Sequence, residues 1–352
     1  MKIFRLVLIL CLLSLFSTSM MSQNAGIGQW RDHLPYNSFI AVTEAENIIY
    51  GATPFAVLTY DKINESIERY TKINGLSDIG ISDIRYSTEM QTVVLAYTNT
   101  NIDLFKGNAI VNVPDIKRKQ ILGNKVINKI TLRNNFAYLS CGFGIVVLDI
   151  DREEINDTWY IGPDGSQLNI LDLTYNDTAF FVATEEGIYH ASVDHPNLAD
   201  FSAWTKMNNV PYPNSQYNII EAYSENIFVS IMPEGNIEHD TVYRYDGNEW
   251  SVFMPDNNHG VNNINANNGK LVFALSYSGR IYDENLDLEL KIYTYNPGDP
   301  AMNDAVYDKE GSVWVADDLS GLVKSYGDGW GSMIINPGGP YSYRVFSMAS
   351  SD

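Results

Sequence analysis

The residues able to do chemistry in this chain are few and far apart. His33, His190, His195, His239 and His259 fall in different segments. Only His190 and His195 come close, across a predicted strand end and turn, and that spacing does not match the ligand pattern of a tetrahedral zinc site. No HExxH, GxSxG, CxxC or Walker loop occurs. Cys141, in LSCGFG, stands at a predicted strand end with no general base supplied by its neighbours, and reads as a buried small residue rather than a nucleophile. Asp317-Asp318, Asp299 in NPGDP and Asp256-Asn257-Asn258 offer oxygen ligands of the kind calcium accepts. Asp and Asn also close turns by bonding the backbone, so no cofactor is expected and structural calcium is the one metal alternative. Paired carboxylates for sugar hydrolysis, brought together from different strands, would leave no mark in a sequence.

What remains is recognition rather than catalysis. Tyr36 and Asn37 are candidate surface contacts. So are Lys117-Arg118-Lys119, with Lys125 nearby, the one dense basic cluster in an acidic chain. A third candidate is PYPNSQY, where Tyr212 and Tyr217 combine rigid rings with little charge, the composition of a protein-binding anchor.

The elements that must carry these residues repeat. Apolar strands end on a small residue at Gly51, Ala96, Ser140, Ala183, Ser230, Ala274 and Ala316, at spacings of 45, 44, 43, 47, 44 and 42. A period of that length, filled with strand patterns and no helix, predicts a seven-bladed β-propeller of four-stranded antiparallel blades, an all-β fold. The fourth unit shows the plan: strands over 170–175, 179–184 and 188–193, with turns at Asn176-Asp177-Thr178 and Glu185-Glu186-Gly187. Gly187 suits a tight connection, and Gly144, Gly279 and Gly321 stand at comparable places. An aromatic marks the outer strand at Tyr70, Trp159, Trp204, Trp250, Tyr293 and Trp330, and is expected to cover the outer rim. Trp30 is an extra outer-strand candidate, which suggests a ring closed by strands from both ends of the chain.

Lys2 and Arg5 precede an apolar run from Leu6 to Phe16. The run is too short for a bilayer span of about 30 Å and reads as an export signal over residues 1–22. Its removal would take the formal charge from −20 to −22 and leave Cys141 as the lone cysteine, so no internal disulfide is expected. An acidic surface of this kind repels nucleic acid. The propeller is expected over 27–336. Residues 337–352, with Pro337-Gly338-Gly339-Pro340 leading into YRVFSMASSD, read as a linker and the first strand of a truncated second propeller.

Several phrases are too long and too irregular to come from propeller architecture. WRDHLPYNS, INGLSDIGISDIRY, NIDLF, VPDIKRKQILGNKVINKI, AYLSCGFGIVVLDI, EINDTWYIG and HPNLADFSAW resemble the N-terminal propeller of the PorZ family of the type IX secretion machinery in Bacteroidetes. The resemblance implies an exported, cell-surface, outer-membrane-associated protein. It implies a non-catalytic role beside PorU-like sortase and PorV-like and PorQ-like outer-membrane proteins, with anionic lipopolysaccharide as a further ligand. No family catalytic residue transfers to a numbered position here. Residues 301–330 also resemble the repeat of periplasmic propellers in two-component sensors, so a ligand-sensing input domain is the alternative.

Overall fold

The computed structural model describes residues 34–231, 240–296, 298–328, 330–338 and 340. The expected export signal, Trp30, His33, His239 and YRVFSMASSD lie outside these residues. Leu34 onward forms one unit, with seven separate four-stranded sheets, each built from consecutive antiparallel strands. The blades span 41–71, 81–113, 127–159, 170–206, 219–253, 261–292 and 302–335. The fourth blade follows its predicted plan closely, with strands Ile170–Tyr175, Ala179–Thr184 and Gly187–Ser192. Gly187 has φ +122°, and a Cβ there would lie 2.3 Å from the Pro213 carbonyl, so both backbone conformation and space require glycine. Gly279 differs: its φ is outside the left-handed range, and its smallness makes room for Met302, 3.0 Å from a would-be Cβ.

Alternation along each strand turns one set of side chains toward each neighbouring blade. Seven apolar clusters result among the described residues, one at each blade boundary and one of them between the seventh blade and the first. The recurrent small residues sit in the second strand of every blade, and all are buried. Ala96, Ala183, Ala274 and Ala316 belong to these boundary clusters, and a Cβ on Gly51 would press 2.8 Å from the Phe39 ring. Their size is set by blade packing, as the taper of a propeller demands.

Two expectations are corrected. The first and last blades each contain four strands of their own, so among the described residues no strand from one end of the chain completes a blade at the other. Closure comes instead from Tyr36 and Phe39, buried in the cluster between blades 7 and 1, and from the Phe39 amide donating to the Asp317 carbonyl at 2.9 Å. The outer aromatics also divide. Trp159 and Trp204 are buried in one boundary cluster and Tyr70 and Trp250 pack against others, whereas Tyr293 and Trp330 are 54% and 65% exposed, because each falls just outside its outer strand.

Apolar contact is not directional, and separate sheets share no ladder that would fix how one blade meets the next. Carboxylates supply that register. Asp83, Asp172 and Asp304 stand at irregularities in the inner strands Ile81–Ser87, Ile170–Tyr175 and Met302–Tyr307. In each, one oxygen accepts from the next residue's amide in the same strand, at 2.8–2.9 Å. The other oxygen accepts from the following blade: the amides of Ile130 at 2.9 Å, Ile220 at 3.1 Å and Val42 at 3.0 Å. Asp304 also accepts from Arg85 Nη1 at 2.9 Å and from the Asn263 and Asn265 amides, both at 2.6 Å. Removing one partner of a buried, fully bonded ion pair costs about 3–5 kcal/mol. Asp304→Ala is therefore expected to lower unfolding free energy by about that amount in urea titrations, more than Asp61→Ala, whose carboxylate serves an exposed turn.

Candidate functional site

The inner strands stand around a central cavity of about 540 Å³, to which all seven blades contribute. Its wall follows from the pleat. Positions two apart on a strand share a face, so the residue at each register position and the one two further on turn toward the axis together. These pairs are Lys129 and Thr131 in blade 3, Asp172 and Thr174 in blade 4, and Asn263 and Asn265 in blade 6, while in blade 2 Arg85 lines the cavity and Asp83 stands behind it. In blade 5 the second position is Glu221.

Charge in this wall is unevenly compensated. Arg85 Nη1 lies 2.9 Å from Asp304 and 3.3 Å from Asp83. Burial opposes its charge, but those two carboxylates overcome burial and raise its pKa. Asp304 is likewise held below the usual carboxylate range: burial acts upward, while Arg85, Lys129 and the donated hydrogen bonds outweigh it. Lys129 reaches across the cavity and donates to Asn263 Oδ1 at 3.1 Å. Asp172 receives two amide bonds and the field of Lys129, yet burial prevails and lifts its pKa to about 6. Glu221 has the least support. No side chain among the described residues donates to it, and the Ala222 amide beside it donates to Thr174 Oγ1 at 3.0 Å. Burial first, then the neighbouring charge of Asp172, pushes its pKa well above the ordinary value, against the weaker opposing pull of Arg85, Lys129 and the Ala222 amide.

A second acidic group lies near the rim. Oxygens of Glu44, Asp308 and Glu310 come within 4.8 Å of one another, the arrangement that could hold a divalent ion. The Lys62 ammonium already stands among them, bonded to Glu44 at 2.5 Å and to Glu310, and 3.9 Å from Asp308, so a metal would have to displace it. The turns read as calcium loops have taken internal donors. Asp317 accepts from Tyr295 Oη at 2.9 Å and the Ala301 amide at 2.6 Å, Asp318 accepts from Ser38 at 2.6 Å, and Asp256 pairs with Arg280 at 2.7 Å.

None of the surface residues singled out in the sequence lines the central cavity. Tyr36 is buried rather than exposed, under the Arg69 guanidinium 5.1 Å from its ring. Tyr217 is also fully buried, its hydroxyl donating to the Pro211 carbonyl. Both rings complete boundary clusters, because a bulky apolar body between blades buries more area than it would on a loop. Asn37 is half-buried. Tyr212 projects from the same loop as Tyr217, 52% exposed, with φ +56°. Lys117 and Arg118 end a one-turn helix, Asp115–Arg118. Lys117 pairs with Asp78, Lys125 donates to the Lys117 and Lys119 carbonyls at 2.8 and 2.5 Å, and Arg118 and Lys119 remain exposed. His190 stacks on Phe181, and Cys141 is fully buried, its thiol pKa raised by burial.

The small-residue repeat lies on the second strand of each blade and so does not mark the cavity residues, which lie on the first. A signal exists on the first: Ile81-Ser82-Asp83-Ile84, Ile170-Leu171-Asp172-Leu173, Val261-Asn262-Asn263-Ile264 and Met302-Asn303-Asp304-Ala305 share an apolar-x-Asp/Asn-apolar form. Lys129 occupies the same place in Ile127-Asn128-Lys129-Ile130.

Residues 49–205 match the model of a family described as the N-terminal β-propeller domain of PorZ, a type IX secretion component. Among solved structures, the chain is similar to PorZ of Porphyromonas gingivalis, described as an essential bacterial surface component of the type-IX secretion system. The TM-score is 0.72 at 20% identity, over 89% of this chain and 40% of that one. The chain thus spans two fifths of the length of that protein, and at this identity the likeness shows a shared fold. A computationally designed protein, Ika8, aligns with a TM-score of 0.49 at 11% identity, over 85% of this chain and 97% of that one, and carries no argument. No curated protein matches the chain.

Glu221 makes the cavity a source of pH-dependent instability. A carboxyl whose folded pKa exceeds its unfolded value stabilises the fold while both states are protonated, and that contribution is lost as pH rises from about 4.5 through the folded pKa. Asp172 acts in the same direction between 3.8 and about 6. Glu221→Gln is therefore expected to be more stable than the parent at pH 7, with the difference shrinking toward pH 4.5, in urea titrations across that range.

Proposed function

We propose, from the match of residues 49–205 to the PorZ N-terminal β-propeller family model, that the ring is a non-catalytic docking component of the type IX secretion attachment complex. The match over four of the seven blades carries this reading. In it the protein is exported by the segment 1–22 and works at the cell surface in association with the outer membrane. The 27–336 propeller presents a rigid frame, and loops between blades make the contacts. Its partners are a PorU-like sortase and PorV-like and PorQ-like outer-membrane proteins, and its role is to hold them together during processing and anchoring of secreted cargo. Residues 337–352 lead into a second propeller.

Among the sequence candidates, the exposed members support such contacts. Tyr212 offers a ring at the surface of the loop between blades 4 and 5. Arg118 and Lys119 present positive charge on an otherwise acidic chain, which suits an anionic lipopolysaccharide or an acidic partner surface.

The test is cross-linking of the tagged full-length protein in intact cells, followed by mass spectrometry of captured neighbours. A sortase-like protease and outer-membrane proteins are expected, and capture of a kinase module in their place would favour the sensor reading. Tyr212→Ala is expected to reduce capture with the melting temperature unchanged. Tyr217→Ala is expected to lose about 3–5 kcal/mol of stability, as for removal of a buried aromatic ring. Reversal of charge at Arg118 and Lys119 is expected to weaken lipopolysaccharide retention, measured by co-sedimentation at two salt concentrations.

A further inference from the structure

The central cavity combines enclosure, polarity and an unbalanced charge. Its lining holds four carboxyl groups, Asp172 and Glu221 in the wall and Glu44 and Glu46 toward the rim, against three cations, Arg85, Lys129 and Lys309, with Asp83 and Asp304 standing behind Arg85. The two wall cations are committed. Arg85 is clamped between Asp83 and Asp304, and Lys129 is drawn across to Asn263 in the field of Asp172. At the rim, Glu44 is taken by Lys62 and by Asn268, which donates to it at 2.8 Å, leaving Glu46 and Lys309 as the remaining charges there. Among the described residues no side chain donates a hydrogen bond to Glu221, which feels Arg85 and Lys129 only through their field, and that field is outweighed by burial and by Asp172. Burial, with Asp172 beside it, shifts that group toward its protonated form.

We propose that the cavity binds a small polar ligand bearing a protonated primary amine, with Glu221 as its counter-ion. An ammonium group is the complement this wall lacks. It supplies three donors in a compact head, neutralises the surplus negative charge, and can be followed by a short stem within a cavity of about 540 Å³. A carboxylate or phosphate ligand would meet the same surplus as repulsion. The ammonium binds the ionised form of Glu221, so the bound proton leaves to solvent and affinity rises with pH. The site stands apart from the loop contacts proposed for secretion and does not depend on them.

Three molecules of nearly equal size separate the possibilities: n-butylammonium, 1-butanol and butyrate, added to the folded protein and followed by calorimetry and saturation-transfer NMR. n-Butylammonium is expected to bind, more tightly at pH 8 than at pH 5, with proton release seen as a dependence of the heat on buffer ionisation enthalpy. Glu221→Gln, which is expected to fold at least as well as the parent, should weaken binding about tenfold to a hundredfold, the loss of one charge-assisted contact. Equal binding of 1-butanol, preference for butyrate, affinity unchanged in Glu221→Gln, or no binding of the ammonium at millimolar concentration would each overturn the proposal.

Discussion

The Asp304 carboxylate holds the two ends of the ring together, and the rest of the arrangement depends on contacts of its kind. An inner strand is the edge of its own sheet, so its outward amides and carbonyls have no ladder to join. Side chains from a neighbouring blade satisfy them at boundary after boundary. Thr43 accepts from the Tyr86 amide, Thr131 donates to the Leu173 carbonyl, and Asn265 and Asn267 reach the Ala305 and Tyr307 carbonyls. Where the acceptor is a carboxylate, as at Asp83, Asp172 and Asp304, one side chain fixes its own strand irregularity and the next blade's position together. Apolar clusters supply most of the attraction between blades, while these polar bridges decide the register in which the attraction is realised.

That division of labour explains what could be read in advance. Periodic apolar strands and their small terminal residues are consequences of packing, and packing recurs in every blade. Gly51, Ala96, Ser140, Ala183, Ser230, Ala274 and Ala316 therefore marked seven units without any knowledge of the contacts between them. The fourth blade could be drawn almost to the residue because its turns carry Asn176 and Gly187 where the backbone needs them. The cavity was illegible for the opposite reason. Its wall takes a few residues from each of seven blades, and their chemistry changes from blade to blade, with Arg at 85, Lys at 129, Asp at 172, Glu at 221 and Asn at 263. A repeat search averages such positions away.

Aromatic residues were misread for a related reason. Tyr36 and Tyr217 lie in stretches whose composition is that of a loop, next to proline and asparagine, and composition does not say whether a ring turns outward or lies between blades. The fold decides by area: each boundary must be filled, and these two rings are drawn into the clusters between blades 7 and 1 and between blades 4 and 5. Tyr212, five residues before Tyr217, is left outside because the loop turns between them, with Tyr212 itself at positive φ.

The ring consequently keeps two kinds of chemistry apart. Loop residues such as Tyr212, Arg118 and Lys119 can change without disturbing any inter-blade bridge, which is the condition for a docking surface to vary on a fixed frame. Residues of the channel lack that freedom. Asp304 and Arg85 are tied to closure, and a change at either reaches Val42, Asn263 and the first blade at once. Glu221 is the exception, for it borders the same cavity yet holds no neighbouring blade by its carboxylate. An ionisable group that contributes nothing to closure is poorly explained by architecture, and its place in the cavity to which every blade contributes sets it where a ligand could reach it.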